Sequence, residues 1–288
     1  MSSVKPDWKL LTLKFNRALM EVLMQQYFAV QYVAMAGRYL IPQRDDDSNT
    51  SMTYDRIRQQ FVGEKLIGEK RLALHPSDLT LRLTKGDNDA FHGLSLEGLT
   101  WEEAYSGIKH ILADHGLSTE SLRNEMHYDL PEHPLLNESR FSPGDNAHIL
   151  ENIHYRHNAG IILNEALSRY PKAEPVRIWP HHFDTGSLIP LSYDDKGILT
   201  SSVGVGWAIP DGMIDEPYYY LSIWTKEPLE MPVELSSPGS GHWITSQWNG
   251  SVLRLSALMK HDTAEGQHDA VVAFFRQGIQ TVMEILKS

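Results

Sequence analysis

The sequence predicts an α+β protein of two similar halves, each a mostly antiparallel β-sheet flanked by α-helices. Three observations carry that expectation. Apolar residues recur at three- and four-residue spacing near 12–40, 100–115, 147–170 and 264–286, which puts a stripe on one helix face. Between these stretches lie short runs rich in β-branched and aromatic residues, bounded by Gly, Pro and Asn. The order of runs also repeats: long helix, Asp-containing turn or strand, sheet strands, final helix. An internal duplication is therefore expected, with the halves packed about a pseudo-two-fold axis and a cleft between them.

Leu19, Leu23, Tyr27, Val30 and Ala34 mark the first helix, from about Thr12 to Leu40, and Pro42 ends it. Its Met- and Tyr-rich stripe reads as core packing. The run Arg44-Asp45-Asp46-Asp47-Ser48-Asn49-Thr50 reads as a solvated loop, and Ser51–Tyr54 as a strand start. Phe61 to Ala73, broken by Gly63 and Gly68, is ambiguous. Asp78–Thr84 alternates and predicts a half-buried strand, followed by a Lys85–Asn88 turn and a short strand around Leu94–Leu96. Thr100 and Glu103 form a capping box, and the helix behind them stops at Gly116. Residues 116–146 carry Pro131, Pro134 and Pro143 and read as a polar connector. The expected division is 1–116, connector 117–146, and 147–288.

Asp145 is placed to cap a second long helix, Ala147 to Tyr170, which Pro171 and Pro175 separate from the strand opening at Val176. Val176–Asp184 and Asp215–Trp224 read as strands bracketing a Gly-rich middle. Gly204-Val205-Gly206 is not a nucleotide fingerprint, since no helix opens behind it, and marks a bulge or a close approach. Strands at His242–Trp248 and Ser251–Leu258 precede a last helix capped by Thr263.

Composition narrows the function classes. The chain has 288 residues, 41% hydrophobic and 22% charged, as in a soluble globular protein. A net charge of −11 without any Lys/Arg run argues against nucleic acid and anionic membrane as partners. The chain lacks cysteine, which removes disulfides, thiolate metal sites and a cysteine nucleophile, and fits a reducing cytoplasm. No signal peptide is read at the N-terminus, and no apolar run is long enough to span a bilayer.

Three stretches carry a resemblance to an uncharacterised bacterial protein family. Pro42, Asp46, Asp47, Ser48 and Thr50 match a Pro-x-x-Asp-Asp-Ser-x-Thr signature with the proline displaced by one or two positions. Trp179, Pro180, His182, Phe183 and Asp184 match Trp-Pro-x-His-Phe-Asp, and Glu216, Pro217, Tyr218 and Tyr220 match Glu-Pro-Tyr-x-Tyr. The element order is also distantly similar to the domain-of-unknown-function family 5996. The resemblance covers nearly the whole chain and implies a cytoplasmic bacterial protein without implying an activity.

The same stretches hold the candidate site. Alternation along a strand puts His182 and Asp184 on one face, with His181 and Phe183 on the other. The expected ligand-binding set is Trp179, His182, Asp184, Glu216, Tyr218 and Tyr220, joined by Asp46 and Asp47 if the halves are equivalent. His182, Asp184 and Glu216 are the catalytic candidates, because an imidazole between carboxylates can hold a small polar molecule or move a proton. Two alternatives stand beside this reading. In one, the cluster only anchors strands of a structural or protein-interaction module. In the other, His182 and Asp184 with His242 or His261 bind a metal, a spacing too short and common to be specific. His148, His154 and His157 on the third helix lack the His-Glu-x-x-His pattern and read as surface or capping residues. No cofactor is expected, the expected partner is an unidentified small molecule, and oligomeric state is not legible.

Overall fold

The structure is a computed structural model describing residues 7–86, 88–232, 234–246 and 248–286. Asp87 of the expected Lys85–Asn88 turn, Gln247 of the expected His242–Trp248 strand, and residues 1–6 of the leader reading lie outside these. The strands form one eleven-stranded sheet, in the spatial order 242–244, 250–254, 218–225, 199–208, 184–193, 177–179, 52–55, 60–63, 70–75, 80–85 and 88–95. The expectation of two separate sheets is corrected by this order, although the chain does combine helices with an antiparallel sheet. It divides into two compact units, 16–153 with 177–183, and 1–15 with 154–176 and 184–288. These boundaries differ from those expected at 116 and 146.

The first of these units is built on α1 (Arg17–Leu40). Asn16 caps it, its side-chain oxygen accepting from the Leu19 amide at 3.0 Å. From Val22 to Gly37 nearly every residue is buried, so the helix is enclosed on most sides rather than along one stripe. Five strands follow as an antiparallel meander: β1 (Met52–Asp55), β2 (Gln60–Gly63), β3 (Lys70–His75), β4 (Thr80–Lys85) and β5 (Asn88–Ser95). β6 (Arg177–Trp179) joins at Met52–Ile178, antiparallel to β1. Leu81 and Leu83 are buried on alternate positions of β4, as the pattern predicts. Helix α2 (Trp101–Asp114) has the Thr100/Glu103 capping box, and Gly116 beyond it takes a φ of 76°.

The 116–146 stretch is no loose connector. Leu117, Leu122, Leu135 and Phe141 are buried, Ser142 donates its amide to Gln25 Oε1 at 3.0 Å, and Tyr128 donates to Gln31 Oε1 at 2.7 Å. Scattered apolar residues without periodicity are enough to seat a stretch in which a 3-10 helix at Pro134–Leu136 is the regular element described.

The other unit takes the end of α3 (Asn146–Leu167), whose start Asp145 caps through the Ala147 and His148 amides. It holds β7 (Asp184–Tyr193), β8 (Leu199–Ala208), β9 (Tyr218–Thr225), β10 (His242–Ile244), β11 (Gly250–Arg254), the single turn α4 (Leu255–Leu258) and α5 (Ala264–Ile285). Thr263 caps α5, which packs on β8, β9 and β11. Here β11, not β10, lies beside β9, so the strands are not in chain order. The meander of the first unit is not reproduced, and the expected duplication fails on that difference. Asn158 and Gln267 hold residues 9 and 11 of the N-terminal segment. Each side-chain amide donates to one backbone carbonyl and accepts from the same residue's amide, at 2.7–2.9 Å.

Candidate functional site

The expected His182–Asp184 pairing is undone by one backbone torsion. Pro180 to Phe183 form a turn, Phe183 sits at φ 50°, and β7 begins only at Asp184. The two-residue alternation that placed His182 and Asp184 on a common face does not run through a turn. His182 is exposed, and Asp184 is buried at the head of β7.

Asp184 lies in a polar core. Its Oδ2 accepts a 2.6 Å bond from the Tyr220 hydroxyl, whose ionisation burial and the Asp184 charge both oppose. Gly206, directly across from Tyr220, explains how that ring reaches in: a Cβ there would sit 2.4 Å from Tyr220 Cζ. The close approach read from Gly204-Val205-Gly206 is thus real. Arg156, fully buried, donates to Thr185 Oγ1 at 2.8 Å and lies 4.6 Å over the Trp207 ring, which also stacks on Tyr155. Glu216 accepts from both the amide and the hydroxyl of Ser256 at 2.7 Å, so it caps α4. Tyr218 donates instead to Asp211 at 2.6 Å. Asp184, Glu216, Tyr218 and Tyr220 therefore each meet a structural partner.

His242 stands on β10, and among the described residues no three His, Asp or Glu side chains converge as a metal-ligand set. On α3, His148 pairs with the capping Asp145, and His157 Nε2 meets the Asp7 carbonyl at 2.8 Å.

A different constellation forms around His181 and His182, from residues of the first unit alone. The Pro180 carbonyl accepts from Gln31 Nε2 at 2.9 Å and the His181 carbonyl from Tyr27 at 2.7 Å. The Tyr27 ring stacks on Phe183 at 5.5 Å, so α1 grips the turn by both backbone and side chain. The His181 ring lies 4.4 Å from His182, 5.8 Å from Tyr128 and 6.2 Å from Trp179. Burial first, and then His182, push its pKa down to about 4; Asp47 opposes this and His127 adds to it. The His181 imidazole is neutral at pH 7.

Asp47 reaches this place because its loop is pinned rather than solvated. Ser48, Asn49, Thr50 and Ser51 are buried, and Asn49 bonds both the Arg44 amide and the Gly37 carbonyl. Gly37 permits the contact, since a Cβ there would lie 2.1 Å from the Asn49 oxygen. Asp47 adopts φ 58°, and its Oδ2 accepts from Thr50 at 3.1 Å and meets His127 Nε2 at 3.0 Å. A carboxylate facing Nε2 holds the proton there and leaves the Nδ1 lone pair of a part-exposed ring available. Asp47 Oδ1 is shielded from solvent and takes no hydrogen bond from any described residue. Asp46 accepts from Ser48, which lowers its pKa, and the rest of its side chain faces out. Of the expected site, Trp179, His182 and Asp47 are each brought to His181. His127, Tyr128, Gln31 and His181 were not foreseen. The signal available for two of them was a 30-residue stretch without elements, a length that usually has a purpose in a compact domain.

Comparison of the chain with protein families, curated proteins and solved structures finds no match. Among the described residues, no helix is long and apolar enough to cross a membrane.

Proposed function

We propose that this protein binds a small polar molecule at the Asp47/His127/His181/His182 cluster and moves a proton on it. The observation that supports this most directly is the Asp47–His127 pair, with a solvent-shielded Asp47 Oδ1 left over beside the neutral His181. In this reading His127 Nδ1 is the acid/base, Asp47 fixes its tautomer, and His181 offers an uncharged ring nitrogen to the ligand. Two of the three signatures behind the family resemblance, the Asp-Asp-Ser-x-Thr loop and the Trp-Pro-x-His-Phe-Asp stretch, meet here. The cysteine-free composition suits work in a reducing cytoplasm.

The test is a thermal-shift screen of small carboxylates, amides and phosphate esters against wild type, His127→Gln and Asp47→Asn. At least one compound should stabilise wild type and neither variant, with both variants otherwise melting near wild type because His127 is part-exposed. If every hit acts equally on all three proteins, the site is elsewhere. The structural-module reading is favoured by specific contacts only for Asp184, Glu216, Tyr218 and Tyr220, which sit outside this proposal.

A further inference from the structure

A cavity of about 160 Å³ opens in the second unit between the C-terminal turns of α3 and the middle of α5. Ile162, Phe275 and Ile279, all buried, give it an apolar floor. Its remaining walls include Tyr170 and two exposed guanidinium groups, Arg169 and Arg276. Neither guanidinium has a hydrogen bond or ion pair with a described residue. The one carboxylate of the lining, Glu165, is already engaged by His268 Nε2 at 2.9 Å. Two guanidinium groups thus stand at the mouth of a hollow with an apolar floor, and neither is bonded to the carboxylate beside them.

We infer that this cavity is a binding site for a small monocarboxylate with an apolar body about the size of a benzene ring. The volume sets the body: about 160 Å³ is close to the roughly 150 Å³ that holds benzene in an apolar cavity, and this one is partly open, so that a head group can stay at its polar mouth. The arginines set the head group, since a planar guanidinium bonds a carboxylate through two parallel N–H donors. A carboxylate seated there also meets less competition from its own protein, because Glu165 is turned to His268. The floor makes an inorganic anion alone a poor occupant, as it would leave the apolar surface wet or empty. This site shares no residue with the His127 cluster and does not depend on it.

The experiment is calorimetric titration of the full chain with benzoate, benzamide and inorganic phosphate, on wild type and on the Arg169→Gln/Arg276→Gln double variant. Both arginines are exposed, so the double variant should keep its melting midpoint. Benzoate should bind wild type at least tenfold more tightly than benzamide or phosphate, and the double variant should lose at least tenfold for benzoate alone. Ala166→Leu, which narrows the cavity from a half-buried wall position, should weaken benzoate as well, while His127→Gln should leave it unchanged. Absence of benzoate binding, equal binding of benzamide or phosphate, or equal affinity in the double variant would each overturn the assignment.

Discussion

His181 and Asp184 are three residues apart and are held by different means. Burial and His182 hold the His181 pKa at about 4, below the 6.5 of an unfolded chain. In that window the unfolded state binds the extra proton, so stability is complete above about pH 6.5 and is lost as pH falls toward 4. Allowing for solvent screening of a half-buried ring, the loss is about 1–2 kcal/mol. Urea midpoints measured from pH 7.5 to 4 should fall more steeply for wild type than for His181→Asn; parallel curves would remove His181 from the account. Asp184 is fixed by a hydroxyl instead. Tyr220→Phe deletes the 2.6 Å donor and leaves a buried carboxylate oxygen without it, at a cost of about 1–3 kcal/mol. Denaturant unfolding reads that cost directly. Ligand binding at His127 should be untouched, and a variant of wild-type stability would return Asp184 to the candidate list.

Strands and turns decide which of these residues meet. Cross-strand pairing puts Gly206 opposite Tyr220, and the ring fills the space that a side chain on Gly206 would take. Gly206→Ala should therefore push Tyr220 off Asp184 and cost about 1–3 kcal/mol as an overpacked contact. The shift would be seen as a lowered melting midpoint together with a changed Tyr220 hydroxyl environment by NMR. Ala tolerated without either change would mean that the sheet opens freely at this point. The turn at 180–183 and the loop at 44–51 are held by the opposite device, side-chain amides. Gln31 bonds the Pro180 carbonyl, and Asn49 bonds the Arg44 amide and the Gly37 carbonyl, which lets two irregular segments lie against α1.

At the scale of the whole molecule, a net charge of −11 works against compaction. Raising ionic strength from about 0.01 to 0.15 M shortens the Debye length from about 30 to 8 Å and should screen that self-repulsion. The melting midpoint is expected to rise over this range by a few degrees. A fall would show that local pairs such as Arg44–Glu64 and Arg254–Asp215 outweigh the net charge, although exposed pairs of this kind are usually weak.

What the sequence determined by itself is what short-range physics controls. The Thr100/Glu103 capping box, the Thr263 cap and the Gly116 stop are decided within one helical turn, by the amides that turn leaves unpaired. The alternation of β4 and the close approach at Gly206 were legible for the same reason, since each follows from the pleat of one strand. Tertiary structure alone decided the rest. Strand order in the second unit depends on which edge the β10–β11 hairpin joins, and a linear pattern carries no record of that choice. The His181–Asp47–His127 cluster draws on residues some 80 and 130 positions apart, brought together by a helix buried on most sides, a loop that read as solvated and a stretch that read as a polar connector. A single left-handed residue, Phe183, then divided a motif that looked continuous, sending His182 outward and Asp184 into the core. Its positive φ is tolerated because its ring is fully buried between Tyr27 and Phe61, a packing gain that no local pattern around residue 183 reveals.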